Sequence, residues 1–475
     1  MKVKYIALRP LDSETPALTH ELLAASAART SRNKEGIEEI MLLIDPANPE
    51  ASTKRIFELA DYGHTSIKGL TGGIPIFIEN ISLWQIYDLF RVCTTGDGQE
   101  TSTRYVNFGT AGHLKASCAD IPEFLSLAYE DMHRQAQALY DRLTAFWNDV
   151  ATTDPWAMGI SADLVAEAKD GSKKAQQKLE RLQRNFVFDR ARVVIPMSCL
   201  NNMVLVQTAR QWVELCAYLN SSIRYEAQQL GALLCKTLLS CIPNLLKHAY
   251  GSTEQTQRIT QDLIHQARMT DRAQPLTLQL ADNDTEVRLD LPAQERDFQR
   301  WGTTTMLRRA FIGHVKRYVP VGDEIGRCGI RFRIKNLGIA ELRDLNRHRP
   351  GHKFTWASPV GVYDARDQVP GDWFLHDDVN RLFDDVRNFL VNWAGLCRVM
   401  LSEARDGFPY LYTLGTQLDF EHLTTLDKFI YTAEIRTGPG AHYRYAAQVR
   451  SCLHQVYEQL PGLRGLVLEG SAEPE

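Results

Sequence analysis

Between Pro122 and Val150 apolar side chains return every three or four positions, at Leu125, Ala128, Met132, Ala136, Leu139, Leu143 and Phe146. That period predicts a long helix with one buried face. Val379–Ala404 predicts a second. Shorter helical patterns cover Ser82–Arg91, about Met203–Leu219, Ser222–Leu239, Ile339–Arg347, about Leu423–Arg436 and Ala441–Leu460. Strands are predicted at Lys2–Leu8, Ile74–Glu79 and Gly329–Ile334, with helical segments between the first of these and about Tyr62. Thr94-Thr95-Gly96-Asp97-Gly98 reads as loop, because glycine and aspartate favour turns. Leu276–Leu280 and Val287–Leu291 alternate around Asp282-Asn283-Asp284 and read as a hairpin. The polar stretch Gly251–Asp284 reads as a bridge.

The pattern repeats. Gly329-Ile330-Arg331-Phe332-Arg333-Ile334-Lys335-Asn336 aligns without a gap with Gly73-Ile74-Pro75-Ile76-Phe77-Ile78-Glu79-Asn80, 256 positions earlier. The helices that follow end Asp344-Leu345-Asn346-Arg347-His348-Arg349 and Asp88-Leu89-Phe90-Arg91-Val92-Cys93. Ser358 stands 11 residues after Arg347, and Ser102 stands 11 after Arg91. Repetition of this length predicts two tandem copies of one folding unit. The organisation read from it is a first unit over 1–250, a bridging segment over 251–274 and a second unit over 275–475. Each unit is expected to be α/β (α+β), a sheet with long packed helices.

Composition narrows the function. A chain of 475 residues, 44% hydrophobic and 24% charged, is that of a soluble protein with room for two or three domains with full cores. A net charge of −4 argues against nucleic acid or a membrane surface as the main partner. No apolar run reaches membrane-spanning length, and MKVKYIALRP reads as a strand rather than a signal peptide. Nine cysteines without CxxC spacing predict reduced thiols, a cytoplasmic location and no metal site. Cys199, Cys216 and Cys235 lie in apolar helical context and read as core. No Cys/His arrangement reads as nucleophilic, and there is neither a Walker loop nor a GxGxxG after a strand.

The remaining candidates are cationic. Arg347-His348-Arg349 closes a predicted helix, where basic residues suit the dipole; the same triplet makes a multidentate donor set for a phosphate. Glu100-Thr101-Ser102-Thr103-Arg104-Tyr105 places a hydroxyl, backbone amides and a guanidinium close enough to surround one phosphate, or forms a polar loop with a Glu–Arg pair. Arg192 and Arg210 read equally as ligand contacts or solvated ion-pair partners.

Taken together these segments resemble the flavin-dependent thymidylate synthase family. Its members carry in order a Gly-His-x-Ser/Thr turn, an aromatic-rich strand, a helix ending Arg-His-Arg, a Ser-x-Arg loop, an Ala-Arg-x-x-Leu-Pro segment and helices bearing Asn-x-Arg. Here the first unit supplies Gly63-His64-Thr65-Ser66, Glu100 to Tyr105, Ala191-Arg192-Val193-Val194-Ile195-Pro196 and Arg210; the second supplies Arg347-His348-Arg349, Glu434-Ile435-Arg436 and Arg444. The resemblance implies FAD-dependent transfer of a one-carbon unit to C5 of a pyrimidine nucleotide, most simply dUMP to dTMP, with no protein nucleophile. It implies NADPH and methylenetetrahydrofolate as co-substrates. His64, Ser66, Glu100, Arg210, Arg347, His348, Arg349 and Arg436 would hold FAD. Asp88, Ser102, Arg104, Arg192 and Asp344 would hold the nucleotide, and Arg444 would polarise its ring. The implied assembly is a homodimer imitating the family's tetramer.

The departures are complementary. Arg91-Val92-Cys93 replaces Arg-His-Arg in the first copy, and Ser358-Pro359-Val360 lacks the arginine after serine in the second. Asp88 and Asp344 replace a base-contacting glutamine, while Thr208 and Glu434 replace the asparagine before Arg210 and Arg436. Spacing from those arginines maps the ring-polarising residue to Tyr218 and Arg444. Division of labour is therefore expected, with the first-copy loop and the second-copy Arg-His-Arg working together across an interface. The alternatives are modification of UMP, dCMP or CMP, and a flavin- or nucleotide-binding protein without catalysis.

Overall fold

A computed structural model describes residues 20–36, 39–40, 56, 70, 73–239, 246–278, 284–291, 304–438 and 441–470. The strand expected at Lys2–Leu8, most of the helical stretch to Tyr62 and the turn with His64 and Ser66 lie outside the described residues. In chain order the principal elements begin with α1 (His20–Arg29), β1 (Ile74–Ser82), α2 (Leu83–Val92), β2 (Asp97–Glu100), α3 (Ser126–Thr153), α4 (Ala162–Lys169) and α5 (Lys173–Ala191). They continue with β3 (Leu200–Gln207), α6 (Ala209–Asn220), α7 (Tyr225–Leu238), α8 (Thr253–Arg268), β4 (Thr277–Leu278), β5 (Thr285–Asp290), β6 (Gly329–Gly338) and α9 (Ile339–Asn346). The last are β7 (His352–Thr355), β8 (Gly361–Val362), α10 (Asp377–Ser402), β9 (Thr416–Thr425), α11 (Leu426–Arg436) and α12 (Tyr443–Gln459). Among the described residues no helix is long and apolar enough to cross a membrane.

These elements form two compact units, one of Met1–Asp271 with Asp364–Leu414, the other of Arg272–Tyr363 with Gly415–Glu475. The compact units are thus not the linear segments 1–250 and 275–475. Packing explains the difference, because α10 sits on α3: Phe383 meets Phe146 edge to face at 5.5 Å and Trp147 at 6.0 Å. Those contacts bury an aromatic cluster that neither helix could cover alone.

In the first unit β3 lies between β1 and β2. Its Met203 and Leu205 join Ile76, Ile78, Trp212 and Leu215 on one face, and Val204 and Val206 join Ala27, Ala28 and Leu70 on the other. Burial on both faces removes the period-two signal, which is why this run reads as the start of a helix. The helix begins only after Thr208, whose hydroxyl and Gln211 form a capping box. The expected loop at Gly96–Gly98 is partly strand, since Asp97–Glu100 pairs with β3. Gly98 fits there because a Cβ would come within 2.7 Å of the Val204 carbonyl oxygen. Within the expected bridge, Ser252 caps the amphipathic helix α8, which buries Leu263 and Ala267.

The second unit holds a sheet of order β4-β8-β9-β6-β5, with β7 also on β9. The expected hairpin near 276–291 does not form: β4 runs parallel to β8, and β5 pairs with β6. Leu423 and its neighbours, expected to open a helix, end β9. Phe332 packs on Phe420 and Phe429 at the core of this unit.

Each unit breaks its main strand in the same way. Asn80 (φ 57°) and Asn336 (φ 56°) adopt left-handed backbone. The register skips between Ile78 and Ile81, and again between Ile334 and Leu337. Asparagine tolerates this conformation better than most residues, and the bulge re-aims the chain into α2 and α9.

Candidate functional site

In the first unit the loop after β2 is tied down at both ends. Thr101 donates from its backbone to the Asn202 carbonyl, and Asn201 returns a bond to the Thr101 carbonyl. The Tyr105 and Val106 amides turn back onto the Ser102 carbonyl. Arg104 makes a two-point bond to Asp189, Nε to Oδ1 at 2.7 Å and Nη2 to Oδ2 at 2.8 Å, with side chains 12% and 8% exposed. The buried Arg192 donates to the Thr103 hydroxyl at 3.1 Å. Arg32 and Arg104 both approach the Tyr105 ring. Ser102, Arg104 and Arg192 thus share one loop neighbourhood, with Glu100 buried at the end of β2. Sequence reasoning missed Asp189 and Arg32. The position of Asp189, three residues before Arg192 in one helix turn, was the available signal for the first.

Asp88, expected at the nucleotide base, is saturated inside its own unit. Arg91 reaches its Oδ1 at 2.6 Å, and the Tyr218 hydroxyl donates to Oδ2 at 3.0 Å. Arg91 also donates to the Tyr218 oxygen at 2.8 Å. Burial, then the Asp88 charge, pushes the Tyr218 phenol up to about 12. Arg210 is exposed at the start of α6.

In the second unit the end of α9 gathers cations and imidazoles. The Arg436 Nε donates to His348 Nε2 at 2.6 Å. His348 Nδ1 lies 3.2 Å from the Thr432 hydroxyl, which donates onward to the Lys428 carbonyl. This chain assigns the neutral Nδ1–H tautomer to His348. Burial, followed by the charges of Arg436 and Lys353, holds its pKa far below the ordinary range. Lys353 donates to the Asn346 carbonyl at 2.7 Å, and burial beside Arg349 lowers its ammonium to about 7. His422 donates to the Pro350 carbonyl at 2.8 Å and is lowered to about 4, mainly by burial and then by Lys353. Lys353 and His422 belong to this cluster and were not foreseen. Their pairing across β7 and β9 places them there.

The remaining expected residues fall elsewhere. Glu434 is buried against His314 at 2.9 Å and also accepts from the Leu468 amide. Arg436 ends α11 whereas Arg210 begins α6, so the two are not repeat equivalents and spacing counted from them does not locate matching residues. Arg444 is buried, 3.7 Å over the Tyr363 ring, 3.2 Å from the Asn336 carbonyl and 3.9 Å from Glu341. Asp344 is half-buried in α9. Among the described residues no group of three or more His, Cys, Asp or Glu side chains is placed to hold a metal ion.

Every charged neighbour that shifts His348 and Lys353 is a cation or an imidazole, so the cluster sets up a positive field. Such a field, with guanidinium forks around it, suits a phosphate or pyrophosphate group. The strand–bulge–helix scaffold thus presents a cationic cluster whose chemistry suits an anionic group. Residues 16–244 match the family of the thymidylate synthase complementing protein. That segment, just under half of the chain, is similar to the flavin-dependent thymidylate synthases. No curated protein matches the chain.

Proposed function

We propose that this protein is a flavoenzyme that transfers a one-carbon unit to C5 of a pyrimidine nucleotide, most simply dUMP to dTMP. The observation that carries the reading is the His348 cluster: an imidazole locked neutral between Arg436 and Thr432, ringed by cations at the end of α9. Arg347, Arg349, Lys353 and Arg436 would hold the pyrophosphate of FAD, and His348 would orient Arg436 toward it. Bound FAD would supply the reducing chemistry of the transfer. In the first unit Ser102 and Arg104 would hold the nucleotide phosphate, with Arg104 kept in line by Asp189. His64, Ser66, Glu100, Arg192 and Arg210 are assigned supporting contacts, and Arg444 a role at the pyrimidine ring. The matching bulges at Asn80 and Asn336 support descent of the two units from one ancestor. The assembly proposed with this reading is a homodimer, with NADPH and methylenetetrahydrofolate as co-substrates.

Modification of UMP, dCMP or CMP was suggested by an aspartate at the base contact. In the first unit that carboxylate is occupied by Arg91 and Tyr218, which removes its motive there. Mass spectrometry of dUMP, UMP, dCMP and CMP incubated with the purified protein, FAD, NADPH and methylenetetrahydrofolate tests the proposal. A methylated dUMP product is expected. A colourless protein that takes up no FAD and methylates none of the four would overturn it.

A further inference from the structure

The first unit contains a cavity of about 130 Å³ between the 108–113 segment, α3 and the chain leading into β3. Phe108, Tyr140, Ile195 and Pro196 supply apolar walls, while His113, Glu130 and Gln137 supply a polar edge. The walls are fixed. The Leu114 amide bonds the Ser198 carbonyl, and the Leu200 amide bonds the Gly112 carbonyl, so the segment is strapped to the approach of β3. His113 stacks on His133 with ring centroids 3.8 Å apart, and Tyr129 meets His133 edge-on at 4.9 Å. Behind the stack the Ser198 hydroxyl lies 3.0 Å from His133 Nε2. At the mouth Glu130 bonds His113 Nε2 at 2.8 Å while remaining partly exposed.

We propose that this cavity is a ligand pocket for a single planar ring with a cationic or N–H-donating edge. Size sets the first part: an apolar cavity of roughly 150 Å³ takes one benzene ring. Charge sets the second. Glu130 stands at the polar edge, and Arg134, the cation in the lining, is turned to Asp131 at 3.0 Å. His133 is held neutral, lowered to about 3 by burial and then by His113, so it adds no positive charge behind the ring. A ring carrying N–H donors gains a charge-assisted bond to Glu130, and one carrying a carboxylate meets repulsion. The pocket stands independently of the flavin reading, since it uses none of the residues assigned to FAD or nucleotide.

Titration of the full-length purified protein, labelled at its histidines for NMR, with benzamidine, benzamide and benzoate tests this. Saturable shifts confined to His113 and His133 are expected, with benzamidine at least tenfold tighter than benzoate. Ala136→Leu fills the cavity from α3 and Ala111→Leu fills it from the more exposed loop wall; each should abolish the shifts. Glu130→Gln should keep the pocket and erase the preference for the cation. The proposal falls if no probe saturates, if benzoate binds as well as benzamidine, or if both filled variants still respond. The FAD uptake of the same preparation reports separately on the flavoenzyme reading.

Discussion

Arg104→Ala separates two jobs of one guanidinium. Its forked bond to Asp189 lies largely out of solvent, with 12% and 8% of the two side chains exposed. Removing one member leaves Asp189 buried without that partner, a change that costs about 3–5 kcal/mol in buried pairs. The residual exposure puts the expectation at the lower end, about 3 kcal/mol, which is a fall in Tm of about 5 °C for a folding unit of this size. Asp189→Ala should cost a similar amount, and the double variant should recover about 2 kcal/mol of the summed loss. Thermal denaturation of the four proteins gives the cycle. Asp189→Asn supplies the functional half: it keeps the shape, weakens the hold on Arg104 and should weaken dUMP binding measured by calorimetry. Additive stabilities, or a nucleotide affinity that moves in none of the variants, would refute the account of Asp189 as the residue that aims Arg104.

Other consequences are equally open to measurement. His133 and His422 are neutral in the fold, lowered to about 3 and about 4, whereas an unfolded histidine binds its proton near 6.5. The unfolded chain therefore holds more protons below that value, and stability should fall as pH drops from 6.5 toward 4, by about 2 kcal/mol per histidine at pH 5. Denaturant melts at pH 7 and pH 5 check this, and His133→Gln should flatten its share of the slope. Glu226 accepts from the Ser82 amide, the Ser82 hydroxyl and the Tyr410 hydroxyl at 2.7, 2.6 and 2.9 Å. Glu226→Ala should cost about 3 kcal/mol through the buried groups it strands, and Glu226→Gln less. If an anion binds beside Lys353, whose pKa is near 7, the lysine should take up a proton. FAD binding enthalpy at pH 7.5 should then depend on the ionisation heat of the buffer, and should lose that dependence in Lys353→Met.

The long helices were legible because their apolar stripes are one-sided. The stripe expected from Pro122 to Val150 is seen as Ser126–Thr153, and Val379–Ala404 as Asp377–Ser402. The central strands were not, for the opposite reason. Met203-Val204-Leu205-Val206 is buried on both faces, so it alternates nothing, and β9 runs into α11 through Thr425 without a glycine or proline to mark the change. Pairing partners were beyond reach as well. Nothing near Thr277 announces that its neighbour is Gly361 rather than the strand just after it. At the site the arginines could be named from the chain, but their counter-charges could not. Asp189 lies 85 residues from the guanidinium it engages.

The two strand–bulge–helix segments make one assignment sharply testable. Gln85 and Glu341 are the third residues of α2 and α9; Glu226 and Arg444 are the second residues of α7 and α12. In the first unit the acid sits on α7 and bonds the capping Ser82. In the second the acid sits on α9, the capping residue is a glycine, and a cation faces the acid from α12. A carboxylate buried as deeply as Glu341, 2% exposed, needs a compensating charge, and Arg444 is placed to provide one at 3.9 Å. Structural compensation and ring polarisation are thus both open to Arg444, and they part company in a double variant. Arg444→Ala should lower stability by about 3 kcal/mol through the stranded acid, and adding Glu341→Gln should restore most of it. If Arg444 also acts on the substrate, the double variant regains its melting temperature while kcat stays depressed and KM for dUMP changes little. Recovery of stability and turnover together would remove Arg444 from the chemistry and leave it as the partner of Glu341.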